Sequence, residues 1–213
     1  IIRINGDGSI RLMYNGSVKN ATGINKIINS KTYQFNNLNN DPAYIGYMYG
    51  NPDGTTFDEV HNNISPSPIK TVVDNWYKTN IDDKEYSNYI STAVGFCGDR
   101  TVYSGGDGIQ TDKTSYFGTY GRHVKNIAQF TCPNVERDLY TSTDSNIGNN
   151  SLTYPVGLIT YDELAFAGMD NGHINKLSWA YSTQHYWTIS PSLFNALSGY
   201  GYEWMLHSAG YLV

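Results

Sequence analysis

The clearest helical pattern runs from Ile69 to Thr79. Ile69, Val72, Val73, Trp76 and Tyr77 recur there at i, i+3, i+4, i+7 and i+8 and form one apolar stripe. Pro68 stands at the first helical position, and Ser67 before it is the expected cap. The stripe makes Trp76 a core anchor rather than a ligand contact. A second helix is predicted from Thr160, because Thr160-Tyr161-Asp162-Glu163 has the form of a capping box and Leu164, Phe166 and Ala167 follow before a stop at Gly168. Asp162 and Glu163 can also be read as an acid/base pair, but capping and the helix dipole account for both. Strand patterns lie at Ile1–Tyr14, a hairpin around Asn5-Gly6 and Asp7-Gly8, and at Tyr44–Tyr49, Tyr186–Pro191, Gly201–Leu206 and Gly210–Val213. The stretches 15–63 and 95–150 otherwise read as loop with small sheet pieces. Two helices, short strands and long loops predict one α+β domain over residues 1–213 with a small central antiparallel sheet.

Composition adds a surface to this picture. The chain has 19 tyrosines and 4 tryptophans but is only 15% charged, so rings rather than charges dominate its contact chemistry. They crowd the C-terminal third, where Trp179, Tyr181, His185, Tyr200, Tyr202, Trp204 and His207 sit among small polar residues. Glu203 is the only charged residue from Ser178 to Val213. Rigid amphipathic rings mixed with Ser, Gly and Asn are how antibody paratopes are composed. These seven residues are therefore the candidate ligand-binding set, against the reading that half of the rings are simply core. On the binding reading, replacing Tyr202 and Trp204 by Ala weakens ligand binding and leaves thermal stability nearly unchanged.

A net charge of −5 with 14 scattered Lys and Arg argues against nucleic acid as a partner. No apolar run approaches the ~18–20 residues of a membrane span. Cys97 and Cys132 lack the companions that zinc requires. One pair of cysteines suggests a disulfide formed in an oxidising compartment, the alternative being two buried free thiols. Five histidines, His61, His123, His173, His185 and His207, are dispersed and read as exposed loop residues. No nucleophile-elbow or metal-ligand spacing accompanies them, so nothing points to an enzyme. Asp99, Asp107, Asp112, Asp138 and Asp144 lie in loop-like stretches and leave room for a structural calcium ion as the only cofactor. The chain opens on Ile1 rather than Met, inside an expected strand.

Several segments, taken in order, carry a resemblance. They are Arg3-Ile4-Asn5-Gly6-Asp7-Gly8 with Arg11-Leu12, Phe96-Cys97 with Asp99-Arg100, Tyr116-Phe117-Gly118 with Tyr120 and Arg122, and Cys132-Pro133. Tyr154-Pro155-Val156-Gly157-Leu158-Ile159-Thr160 with Asp162-Glu163, and Tyr186-Trp187-Thr188-Ile189-Ser190-Pro191, complete the series. The chain resembles secreted or surface-displayed proteins of gut Firmicutes, mostly of unknown function. That group is distantly similar to the formylglycine-generating branch of the C-type-lectin-like fold, which also carries hypervariable proteins diversified by retroelements.

The resemblance implies a C-type-lectin-like fold and paired Cys97 and Cys132. It also implies that Trp187 is a core aromatic beside the binding face. Family members continue into a last strand absent here, which implies a fragment truncated at one or both ends. The lectins' Glu-Pro-Asn and Asn-Asp calcium patterns are missing, which argues against calcium-mediated sugar binding. No cysteine follows Cys132, so the enzymes' mechanism has no residue to use. The expected function is an extracellular, non-catalytic adhesin or lectin-like module that takes a glycan or a protein. A retroelement-diversified receptor-binding protein and a self-assembling filament or surface-layer subunit are the alternatives.

Overall fold

The computed structural model describes residues 1–6, 8–143 and 145–213; Asp7 of the expected turn and Asp144 of the loop aspartates lie outside them. The strands are β1 (Arg3–Ile4), β2 (Ile10–Arg11), β3 (Met48–Tyr49), β4 (Ser65–Pro66), β5 (Phe96–Cys97), β6 (Val102–Gly105), β7 (Ser115–Phe117), β8 (Leu139–Tyr140), β9 (Tyr186–Asn195) and β10 (Tyr200–Leu206). The helices are α1 (Phe57–His61), α2 (Pro68–Asn80), α3 (Gly118–Lys125), α4 (Val135–Asp138) and α5 (Tyr161–Phe166). β10, β9, β7 and β6 form one four-stranded antiparallel sheet in that order, and the other strands pair as two-stranded sheets. The architecture is mixed helix and small antiparallel sheet, an α+β arrangement.

Both predicted helices form where their signals lie. Ser67 accepts the Lys70 N–H at the start of α2, and Ile69, Val73 and Tyr77 bury one face. Such a cap contributes about 1 kcal/mol. Trp76 packs edge-on against Tyr14, with centroids 5.0 Å apart. At α5 the capping box is complete: Thr160 Oγ1 accepts from Glu163 N and Glu163 Oε2 accepts from Thr160 N, each at 3.0 Å. The described residues form three further α-helices in stretches expected to be loop. α1 has its own capping box, Thr56 with Glu59, a signal present in the sequence. α3 begins Gly-Thr-Tyr-Gly, a poor helix former by propensity. Its Gly118 lies so close to Asp99 that a Cβ would stand 2.1 Å from Asp99 Oδ2, so packing rather than propensity sets this helix. The strand expected at Tyr44–Tyr49 shrinks to β3, because Pro42–Tyr44 winds into a 3-10 turn capped by Asp41.

β9 is buried without interruption from Thr188 to Ser192, and its hydroxyls are all the more constrained for that. Thr188 Oγ1 donates to Trp204 O at 2.8 Å, Ser190 Oγ accepts the Tyr161 N–H at 3.0 Å, and Pro191 O accepts from Thr119 Oγ1. The Thr-Ile-Ser-Pro segment thus ties β10, α5 and α3 together. Ile189 belongs to a cluster with Phe35, Tyr47, Met48, Ile69, Phe96, Tyr140 and Leu152. A second cluster joins Leu164 of α5 to Trp204 and Leu206 of β10. The disulfide Cys97–Cys132 closes a separation of 35 residues; there is no free cysteine among the described residues.

Candidate functional site

Strand alternation puts Tyr200, Tyr202, Trp204 and Leu206 on one face of β10, but the face is not uniform. Tyr200 and Tyr202 are 47% and 45% exposed, whereas Trp204 is 3% exposed. The indole of Trp204 packs against Tyr161 and His123, with centroids 4.8 and 5.1 Å away, and its Nε1 donates to Thr119 Oγ1 at 3.2 Å. α3 and α5 cover the far half of the strand face and leave the near half open. Grouping Trp204 with the surface rings is therefore corrected: it is core.

The open half borders a groove of about 880 Å³. Tyr200 and Tyr202 line it on the sheet side, Trp187 and Trp204 border it more deeply, and the segment 34–39 forms the opposite wall. Trp187 packs edge-on against Phe35 at 5.7 Å and donates Nε1–H to Tyr33 O at 3.0 Å, a half-buried aromatic beside the groove. The wall is pinned to the strand edge, since Gly201 N donates to Asn39 O at 2.6 Å. The approach is close, because a Cβ on residue 201 would stand 2.9 Å from the Ile45 side chain, which would have to shift. Beneath the wall, Glu203 Oε1 accepts the Gly46 N–H at 2.7 Å, while Oε2 is buried without a partner among the described residues. Desolvation pushes this carboxyl up to about 8 despite the opposing Gly46 bond and Arg100 charge, so at neutral pH it is largely protonated.

The remaining candidates lie at the other end of the hairpin. Leu206 pairs with Tyr186 and Tyr200 with Asn195, so His207 stands five residues beyond Tyr202, about 17 Å along the strand. There His207 stacks on Tyr211 at 4.6 Å and meets the His185 ring edge-on at 4.4 Å. Trp179 is exposed nearby in the chain, and Lys26 Nζ is anchored on the carbonyls of Trp179 and Tyr181. The other six candidates thus fall into two groups on either side of buried Trp204, with Tyr181 half-buried against the same core cluster.

The histidines and aspartates also sort differently from expectation. His61 is fully buried in α1, its Nε2 on Gly108 O at 2.9 Å, and burial holds its pKa down at about 3. His123 lies in α3, within 3.3 Å of the Tyr161 hydroxyl. Asp99 accepts from Arg122 at 2.7 Å and Asp138 from Arg100 at 2.9 Å, so both carboxylates are engaged by guanidinium groups rather than open to a calcium ion. Asp107 accepts two backbone N–H bonds of its own turn. No group of three or more His, Cys, Asp or Glu that could hold a metal ion lies among the described residues, and no helix there is long and apolar enough to cross a membrane.

The 34–39 wall escaped the sequence reading because Gln34, Asn37, Leu38 and Asn39 carry no periodic pattern. Glu203 did leave a signal, as a lone carboxylate in an otherwise uncharged stretch. The chain matches no protein-family model, no curated protein and no solved structure.

Proposed function

We propose that this chain is an extracellular, surface-displayed binding module of C-type-lectin-like architecture, non-catalytic, which takes a glycan or protein ligand in the groove beside β10. The observation that carries the reading is that half-exposed Tyr200 and Tyr202 share a cleft of about 880 Å³ with the exposed Gln34, Asn37, Leu38 and Asn39. A volume of that size, mostly aromatic and amide-lined, is in the range of ligand clefts. The disulfide and the low charge are consistent with an oxidising, extracellular setting. The test compares wild type with Tyr200→Ala/Tyr202→Ala and with Trp179→Ala/His207→Ala for retention on mucin-coated and matrix-protein-coated surfaces. The first pair is expected to lose about tenfold in affinity, near the 1.4 kcal/mol of one modest contact, while the second pair binds as wild type. Loss confined to the second pair moves the site to the other end of the hairpin and sinks the groove reading.

A self-assembling subunit is the second reading, favoured by the β1–β2 hairpin. Its cross-strand partners Ile4 and Ile10 are both exposed, Ile4 by 71%. Light scattering across a hundredfold concentration range tests it: an invariant monomer removes it, and association abolished by Ile4→Ser/Ile10→Ser upholds it.

A further inference from the structure

We propose that the groove's ligand is an uncharged oligosaccharide held without calcium, an assignment that rests on the groove being the binding site. The first reason is charge. No lysine, arginine or aspartate is among the described residues that line the groove, and its one acidic side chain, Glu203, is turned under the wall to the Gly46 N–H. An acidic glycan or a phosphate-bearing ligand would meet no guanidinium or ammonium there, on a chain whose net charge is already −5.

The second reason is the polar chemistry of the wall. Gln34, Asn37 and Asn39 are exposed, and their carboxamides make no hydrogen bond among the described residues. A carboxamide both donates and accepts, as a sugar hydroxyl requires of its partner. Tyr200 and Tyr202 face them with half-exposed rings, apolar surfaces for the C–H face of a pyranose, and each ring keeps a polar tip.

The third reason separates a saccharide from a peptide. An extended peptide binds an edge strand by continuing its backbone ladder. β10 is an edge strand, but its outer edge is already occupied on both sides of the groove. Gly201 N–H is taken by Asn39 O at 2.6 Å, and Met205 N–H and C=O are both taken by Val213, at 2.8 and 2.9 Å. Alternation leaves only Glu203 on that edge between them, opposite Pro191, which is too little for a ladder.

The experiment presents the purified full chain, with EDTA at pH 7, to three immobilised sets: neutral oligosaccharides including desialylated mucin glycans, sialylated and sulfated glycans, and extended peptides. Hits are then titrated by calorimetry against wild type, Tyr202→Ala and Asn37→Ala, each checked for folding by its melting curve. The expected result is a neutral saccharide bound in EDTA and weakened at least tenfold by both variants. Acidic glycans or peptides bound instead, and weakened by the same variants, overturn the saccharide class while leaving the groove as the site. Neutral saccharide binding untouched by either variant overturns the groove itself. Silence from every neutral saccharide at millimolar concentration overturns the assignment.

Discussion

Arg122 holds Asp162 by two parallel hydrogen bonds of 2.8 Å, from Nε to Oδ1 and from Nη2 to Oδ2. Its third donor group, Nη1, reaches Asp99 Oδ2 at 2.7 Å. Asp162 therefore joins α5 to α3 as well as lying at the positive end of its own helix. Its neighbour Glu163 bonds Arg11 in the N-terminal hairpin while closing the capping box. Capping accounts for part of this pair, and buried ion pairing for the rest. Arg100 forms a second centre, with Nε on Asp138 at 2.9 Å, Nη1 on Met48 O at 2.8 Å and Nη2 on Asn63 Oδ1 at 2.9 Å. Asp99 and Arg100, adjacent in the chain, thus serve opposite centres.

Removing one carboxylate from such a fork leaves a buried guanidinium short of its counter-charge. Asp162→Asn is expected to destabilise the fold by about 3–5 kcal/mol, the usual consequence of breaking a buried pair on one side. Urea unfolding monitored by tryptophan fluorescence measures it. A loss below about 1 kcal/mol would mean the pair is solvated and the fork contributes little.

Tyr202 and Trp204 share a strand face and separate on substitution. Trp204→Ala removes a buried indole and its hydrogen bond to Thr119, at an expected cost of about 3–5 kcal/mol. Tyr202→Ala, at a half-exposed ring, is expected to stay within about 1 kcal/mol of wild type. Thermal melts of the two single variants decide it; equal shifts would contradict the division of the face.

Glu203 gives stability a specific pH dependence. Its folded pKa of about 8 exceeds the ordinary 4.5, so the folded state binds the proton more tightly than the unfolded chain. Its contribution is fully present below pH 4.5 and is lost as pH rises through about 8. Glu203→Gln keeps the acceptor for Gly46 N–H without the titration. The variant is expected to gain on the order of 4 kcal/mol over wild type by pH 8 and almost nothing at pH 4.5, since each pKa unit is worth about 1.4 kcal/mol. Melting temperatures of both proteins from pH 4.5 to 8.5 provide the check, and parallel curves would show that the carboxyl is not desolvated.

The bridge between Cys97 and Cys132 restrains the unfolded chain across 35 residues. In the chain-entropy account a closure of that length contributes about 4 kcal/mol. Cys97→Ser/Cys132→Ser is expected to lose roughly 2–4 kcal/mol by urea unfolding, with groove binding retained wherever the variant remains folded.

The sequence alone determined the elements whose signals are local. Ser67-Pro68 and the apolar stripe behind them specify α2, and Thr160 with Glu163 specifies the start of α5, because a helix cap and a 3.6-residue period act within a few residues. The existence of β9 and β10 and the turn at Asn5-Gly6 were legible for the same reason, although β9 is buried continuously from Thr188 to Ser192 rather than alternating. Only the tertiary structure decided α3, where Gly118 is required by Asp99 from a distant part of the chain, and only it decided which rings are surface. Tyr202 and Trp204 have the same period and similar chemistry in sequence; α3 and α5 arrive over one of them and not the other. The groove likewise depends on the 34–39 wall meeting β10, some 160 residues away in the chain. Burial and apposition across such distances depend on packing, and no window of local sequence contains them.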